Sequence, residues 1–438
     1  MLNNFKMNLN AYRIGWYSDK YFLRTQEILM NDNYQGVVHY QYFPRKDCVV
    51  CGIPQVLHLL KECTGFYTDR KKAWRYFQEM NDIDIYASDV GLSLPLERYD
   101  NFKSCKDELN ELWVPMFHTL EVFVIEEGTE VKEMEPVIGI IGNPKYFIHL
   151  ETPTLGILAQ QSAVATSVKR AKDILTDKQK LLFFPARFRH PSSQSPDGYA
   201  ATVGGGQLMS TDANGEFWGY GGIGTIPHAL IAAYNGNTPM AALNFDDRID
   251  PSVSRIVLVD WDNDCIGTSL RTVATFLLTK MDFDIRMSTQ ILSEVSTDPG
   301  AAEKFIRDNK HHVKEVIGLG PGRIFGVRFD TSGSLWDKSV LKLPGNNGVC
   351  PELVFNARWK FDTLGLQDLK IIISGGFDEE KLKTFSQMQV PYDMVGIGSS
   401  IVNKFTVDFT ADAVMLNGEP NAKVGRQCMD WSKLKLVN

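Results

Sequence analysis

Several things are missing from this sequence, and each absence removes a class of protein. No run of about 18 apolar residues occurs, so a membrane-spanning helix is not expected. There is no basic excess: 46 Lys and Arg stand against 53 Asp and Glu, a formal charge of −7. That balance argues against a general nucleic-acid binder, although backbone N–H groups and a few arginines can still build local anion sites. Cysteine is scarce and odd in number, seven in all, without the spacing of a secreted framework. Reduced thiols in a cytoplasmic protein are expected. The first fifteen residues lack a basic stretch followed by an apolar one, so no secretory leader is expected. Repeats and low-complexity tracts are also lacking.

What remains is an ordinary globular balance, 44 % hydrophobic and 23 % charged over 438 residues. That length is enough for two or three domains with a large core. The first region, 1–149, opens with an aromatic-rich helical segment over 12–30. A β-like segment follows at 36–43, then helical patterns at 54–63 and 69–79 and apolar runs at 120–126 and 137–142. This mixture predicts an α/β sandwich domain. The second region, 150–405, begins with a long amphipathic helix. Strand candidates at 181–187, 255–260, 324–329, 370–374 and 393–397 then alternate with helical ones at 267–280, 302–309, 351–363 and 379–387. Alternation of this kind implies parallel βαβ units, and about 250 residues of them make a β/α barrel. The last region, 406–438, reads as a hairpin around Leu416–Glu419 that returns to the first domain.

The chemistry gathers at predicted strand ends. Lys-Ile-Ile-Ile-Ser-Gly-Gly-Phe-Asp at 370–378 and Tyr-Asp-Met-Val-Gly-Ile-Gly-Ser-Ser at 392–400 are both apolar strands followed by glycine turns, one βα unit apart. Such neighbouring turns form phosphate sites, because glycine lets backbone N–H groups approach an anion at a helix start. The alternative is that they are only tight turns. Gly-Thr-Ile-Pro-His at 224–228 places Pro227 at a first helical position and His228 in the first turn. There the imidazole is either a nucleophile or a partly buried structural histidine. Phe184 and Arg187, in Phe-Pro-Ala-Arg-Phe-Arg-His-Pro at 184–191, offer a ring platform and an anion clamp, or simply a basic surface turn.

In Arg-Ile-Val-Leu-Val-Asp-Trp-Asp-Asn-Asp at 255–264, Asp260 and Asp262 fall at a strand end, where carboxylates suit Mg²⁺ or sugar hydroxyls. Asp264 suits a helix cap. Arg328 and Asp330 alternate along a strand and point the same way. Cys48 and Cys51 have a metal-like spacing, but no second pair completes a zinc site. His311 and His312 belong to a charged helix face. The combined inventory suits a phosphorylated sugar and a flat aromatic ring.

With these pieces in this order, the chain resembles the nicotinate phosphoribosyltransferases, in particular their archaeal-type branch. The elements that carry the resemblance are Ser-Asp-Lys-Tyr (18–21), Leu-Glu-Thr-Pro-Thr-Leu-Gly-Ile-Leu (150–158), Phe-Pro-Ala-Arg, Gly-Thr-Ile-Pro-His, Leu-Val-Asp, Gly-Val-Arg-Phe-Asp-Thr, Ser-Gly-Gly-Phe-Asp, Gly-Ile-Gly-Ser-Ser and Asn-Gly-Glu-Pro-Asn-Ala-Lys (417–423). The resemblance implies a type II phosphoribosyltransferase fold, an α/β sandwich plus an irregular β/α barrel. It implies transfer of phosphoribosyl from 5-phosphoribosyl 1-pyrophosphate to nicotinate in NAD biosynthesis, with nicotinamide as the rival acceptor and a non-catalytic nucleotide-binding protein as the remote one.

Mg²⁺ and the co-substrate ATP are implied as well, together with a homodimer that shares its active site and a cytoplasmic location. By the same resemblance Tyr21 of a partner subunit and Phe184 stack on the pyridine ring. Arg187, Thr225 and Arg328 bind substrate, and Ser374, Gly375, Gly376, Gly398 and Ser399 hold the 5′-phosphate. Asp260 and Asp330 act at the reacting carbon, and His228 is the residue that ATP phosphorylates. Ser334 stands where an acidic residue is common, and Cys428 alone remains of the zinc knuckle that some members carry, so structural zinc is not expected. Neither nucleic acid nor membrane is an expected partner, and no metal ligand is assigned.

Overall fold

The computed structural model describes residues 7–90, 96–216, 222–224, 226–281 and 285–437. It forms two compact units, one from Met1–Thr166 with Thr406–Asn438 and one from Ser167–Phe405. No described helix is long and apolar enough to cross a membrane.

The first unit is built on a six-stranded antiparallel sheet. Its order is Glu419–Pro420, Phe409–Leu416, Val38–Pro44, Ile138–Gly142, Glu121–Val124 and Lys435–Leu436. Tyr42, Phe43, Val122, Ile138 and Ile140 are fully buried in it. At Gly139 a Cβ would come within 2.6 Å of the Trp431 ring, so only glycine lets the C-terminal segment lie against the sheet. The helical pattern over 12–30 breaks into two helices, Leu9–Ile14 and Lys20–Asn31. The break falls at Gly15, whose left-handed backbone (φ +80°) caps the first helix and leaves room for Leu23.

The second helix is tied down by polar bonds. Asp19 and Thr152 bond through the Asp19 N–H to Thr152 Oγ1 (3.1 Å) and the Thr152 hydroxyl to Asp19 Oδ2 (2.9 Å). This joins the Ser-Asp-Lys-Tyr element to the Leu-Glu-Thr element across 133 residues. Gln26 Nε2 reaches the Lys145 carbonyl (3.0 Å) and His149 Nδ1 (3.1 Å). Cys48 and Cys51 are both buried thiols.

The second unit carries a six-stranded parallel sheet in the order Ile256–Leu258, Gly326–Phe329, Lys370–Ile373, Met394–Ile397, Lys180–Phe183, Leu208–Met209. The sheet is curled. Ile256 from one edge strand and Leu208 from the other pack into the same apolar cluster, with Leu182, Ile372 and Met394. The gap between the edges is bridged by the segment leading to His228. Ile223 N–H donates to the Met209 carbonyl (2.8 Å) and Ile226 N–H to the Ile256 carbonyl (3.4 Å).

Helices cover the strands, and aspartates start several of them. Asp264 accepts from Gly267 N–H (2.9 Å) ahead of Cys265–Leu278, and Asp378 accepts from Lys381 N–H (2.8 Å) ahead of Glu379–Gln387. The stretch after Ser288 consists of helices Ile285–Thr297, Pro299–Asp308 and Val313–Val316. The predicted strand at 181–187 stops at Phe183, because Pro185 has no N–H for a ladder and the chain turns into a 3₁₀ helix at Ala186–Phe188. Arg255 is almost wholly buried, 1 % exposed, and donates to Asp246 (2.7 Å) and to the Ile249 carbonyl (3.0 Å). It fixes the entry of the Ile256–Leu258 strand, and thereby the exit at Asp260.

Candidate active site at the carboxyl ends of the parallel strands

The site follows from the register of the sheet. Arg328 lies opposite Ile372, whose side chain points into the barrel. Side chains alternate along a strand, so Arg328 and Asp330 face inward while Val327 and Phe329 are buried on the other side. Inward positions at the strand ends are thus occupied by Asp260, Asp330 and Ser374.

Ser374 Oγ donates to Asp330 Oδ1 at 2.8 Å and also lies 3.1 Å from the Phe329 carbonyl. The next two residues, Gly375 and Gly376, both have left-handed backbones (φ +87° and +69°), which a side chain would strain. The N–H groups of Gly375, Gly376, Gly398 and Ser399 donate to no acceptor among the described residues. The two turns are also linked. Ser400 Oγ donates to the Phe377 carbonyl (2.6 Å), and Lys404 pairs with Asp378. Neighbouring turns with unpaired backbone amides have the geometry to accept an anion.

Charged groups surround these turns. The Arg328 guanidinium is buried, which pushes its pKa down, while Asp330 and Asp260 pull it up and nearby Arg187 pushes it down. Its Nε–H is buried and has no partner among the described residues. Asp260 is raised by burial and by Asp330, against the lowering effect of His228. His228 Nε2 lies 3.1 Å from Asp260 Oδ1; the histidine side chain is 48 % exposed and the aspartate 7 %. Pro227 is the residue before the helix (ψ 162°), not its first position, so His228 itself begins the His228–Ala233 helix.

The sequence left Asp260 and Asp262 equivalent, and the structure separates them. Asp262 turns to helix Cys265–Leu278, bonding Arg271 Nη2 (2.9 Å) and the Thr268 hydroxyl (3.0 Å). Phe184 lies across Gly396, where a Cβ would meet its ring at 2.8 Å. Arg187 is exposed, with its guanidinium 5.1 Å from the Phe188 ring. Thr225 lies outside the described residues. Tyr21 belongs to the first unit, at the start of Lys20–Asn31, 58 % exposed and with its hydroxyl 3.5 Å from Asp19 Oδ2.

Two neighbours were not singled out from the sequence. The Trp261 ring sits 6.0 Å from His228, over Gly236, and Lys381 lies under the first turn. Trp261 stood between two candidate aspartates, which was a usable signal. Lys381 lay in a charged helix and had none. His312 pairs with Glu315 (2.7 Å), in keeping with a charged face.

Fold and rim together describe an α/β protein with a curled, half-barrel parallel sheet, and with two turns of unpaired amides at its carboxyl end. The comparisons narrow that class. No protein-family model matches the chain. The nicotinate phosphoribosyltransferase of Mus musculus is 23 % identical over 322 residues, covering 69 % of this chain and 56 % of the relative. The chain thus spans little more than half the length of that curated relative. The crystal structure of nicotinate-nucleotide pyrophosphorylase from Pyrococcus furiosus matches with a TM-score of 0.62 and 24 % identity, over 97 % of this chain and 82 % of that one. Human nicotinic acid phosphoribosyltransferase matches at 0.54 and 16 %, over 94 % and 77 %. Those two structural likenesses establish the fold, and in sequence the chain is similar to the mouse nicotinate phosphoribosyltransferase at 23 % identity.

Proposed function

We propose that the protein is an enzyme of NAD biosynthesis that transfers phosphoribosyl from 5-phosphoribosyl 1-pyrophosphate to nicotinate, with coupled ATP hydrolysis. The observation that carries this reading is the pair of linked turns whose amides have no protein acceptor, set beside Arg328, Asp330, Asp260 and His228 in one unit. The amides of Gly375, Gly376, Gly398 and Ser399 take the 5′-phosphate. The Phe184 ring supports the pyridine ring, and Arg328 with Arg187 takes the nicotinate carboxylate. The unpartnered Nε–H of Arg328 favours that role, since a buried donor without an acceptor is costly.

The pyridine nitrogen forms a bond to C1 of the ribose as the bond from C1 to the pyrophosphate oxygen breaks. Positive charge grows on the sugar ring, and the carboxylates of Asp260 and Asp330 face it. Among the described residues no group of three or more His, Cys, Asp or Glu has the arrangement of a metal cage. Asp260 and Asp330 do fit Mg²⁺ that arrives on the pyrophosphate, since Mg²⁺ takes one or two carboxylates along with substrate oxygens. Bound there, it would neutralise the leaving group.

His228 takes the γ-phosphoryl group of ATP: a ring nitrogen bonds the γ-phosphorus as its bond to the bridging oxygen breaks and ADP leaves, and water later cleaves the N–P bond to release phosphate. With its Nε2–H assigned to Asp260, Nδ1 carries the free lone pair. A homodimer brings Tyr21 of the partner subunit to the other face of the pyridine ring, and the reaction is assigned to the cytoplasm.

The test is a competition. Protein, 5-phosphoribosyl 1-pyrophosphate, Mg²⁺ and ATP are mixed with equal nicotinate and nicotinamide, and the products are read by mass. Nicotinate mononucleotide is expected. Nicotinamide mononucleotide would keep the mechanism and overturn the substrate, and neither product would overturn the enzyme reading.

A further inference from the structure

The first glycine turn has a lysine beneath it. Lys381 Nζ lies 3.4 Å from the Gly375 carbonyl oxygen and 4.2 Å from the centre of the Phe377 ring. Phe377 is itself buried and fixed by an edge contact with Phe385 at 5.0 Å. Asp378, the carboxylate whose charge acts on this amine, is already committed. It accepts from Lys381 N–H and pairs with Lys404. Burial lowers the Lys381 amine below its usual pKa, with Cys350 and Asp378 acting the other way. A half-desolvated ammonium that has a carbonyl and a ring for company, but no carboxylate of its own, carries charge the protein has not neutralised.

The geometry of one peptide links that charge to the unpaired amides. The carbonyl of Gly375 and the N–H of Gly376 belong to the same peptide unit and point in opposite directions. Lys381 therefore grips one end of a peptide whose other end has no protein acceptor. A hydrogen bond to the carbonyl polarises the unit and strengthens its N–H as a donor. It also resists rotation of a turn built from two left-handed glycines, which are otherwise free to move.

We propose that Lys381 is the positioning residue of the phosphate turn, holding the Gly375–Gly376 peptide with its N–H toward the phosphate and adding a positive charge behind it. This rests on the reading of Ser374–Gly376 as a phosphate site. Lys381 does not touch the reacting atoms, so its signature is selective loss of phosphate affinity.

The experiment titrates the full-length protein with ribose 5-phosphate and measures kinetics with both substrates, for wild type and for Lys381→Met, Lys381→Gln and Lys381→Arg. For Lys381→Met, the Kd for ribose 5-phosphate and the KM for 5-phosphoribosyl 1-pyrophosphate should rise about tenfold, while the KM for nicotinate stays within about twofold. Lys381→Arg should recover most of the affinity. Lys381→Gln, which keeps a donor and loses the charge, should fall between, and it serves if the methionine variant does not fold. Ribose 5-phosphate binding by Lys381→Met equal to that of wild type would overturn the proposal. So would an equal loss in the arginine and methionine variants, or a parallel rise in both KM values. Wild type that fails to bind ribose 5-phosphate would instead remove the phosphate reading of the turn itself, and this proposal with it.

Discussion

His228 Nε2 and Asp260 Oδ1 are 3.1 Å apart, and the two side chains meet from opposite environments, one half exposed and the other almost buried. The aspartate fixes the ring, and the ring gives the aspartate a partner in a place where burial raises its carboxyl pKa. Asp260→Asn keeps the shape and removes the charge. It should lower kcat about a hundredfold or more, and His228→Ala should abolish labelling of the protein by the γ-phosphate of ATP. The raised carboxyl also places the acid limb of the pH–rate profile above the ordinary aspartate range. Activity should fall as pH drops through it, and Asp260→Asn should lose that limb. A limb unchanged in the variant would assign it to another group.

The Phe184 ring and Gly396 share a space that admits no extra atom. A Cβ at Gly396 would press on the ring at 2.8 Å and on Ser374 Cβ at 3.3 Å. Gly396→Ala should therefore displace the platform, and kcat/KM for the pyridine base should drop about ten- to a hundredfold. The KM for 5-phosphoribosyl 1-pyrophosphate should move much less. Steady-state kinetics with each substrate varied in turn checks this, and an equal effect on both would mean that Phe184 does not face the base.

Arg328 makes the sharpest statement about the acceptor. Its buried, unpartnered Nε–H suits a planar anion that can take two hydrogen bonds, and lysine cannot copy that fork. Arg328→Lys should raise the KM for nicotinate about ten- to a hundredfold. Any turnover of nicotinamide should be affected less. Equal losses for the two bases would place Arg328 on the phosphoribosyl side.

What could be read from the sequence was local. The helices Pro351–Thr363 and Glu379–Gln387 begin and end where their patterns said, because a proline opens one and Asp378 caps the other. Arg328 and Asp330 could be placed on one face by alternation alone. The rest depended on contacts between residues far apart in the chain. Asp260 and Asp262 look alike in sequence, and only the position of Arg271 on the following helix decides which one turns away from the barrel. The short elements Gln194–Val203, Leu208–Met209 and Asp212–Gly215 were hidden in a glycine-rich stretch whose order comes from packing rather than propensity. The clamp between Asp19 and Thr152 had no local signal at all.

The first unit holds two buried titratable groups whose effects oppose each other. Glu151 accepts a hydrogen bond from Tyr40, but burial outweighs that bond, and the charges of Asp412 and Asp19 add to the rise, so its pKa is pushed up to about 7. His149 is pushed down to about 3 by burial and by Arg70, with its ring bonded to Gln26 and to the Cys63 carbonyl. The raised Glu151 keeps a proton that the unfolded chain gives up. Its contribution is therefore full below the ordinary glutamate pKa and is lost as pH rises toward 7. The depressed His149 refuses a proton that the unfolded chain accepts, so its contribution is full above the ordinary histidine pKa and is lost as pH falls toward 3. Between roughly pH 4.5 and 6.5 the two slopes, each about 1.4 kcal/mol per pH unit, run in opposite directions and cancel. Glu151→Gln removes one of them while leaving an acceptor for Tyr40. The variant should gain about 1–3 kcal/mol over wild type at pH 8 and nothing at pH 4.5, the difference between the two growing as pH rises through that interval. Urea unfolding at a series of pH values measures this directly. A gain that does not change with pH would mean that Glu151 is not the group that titrates.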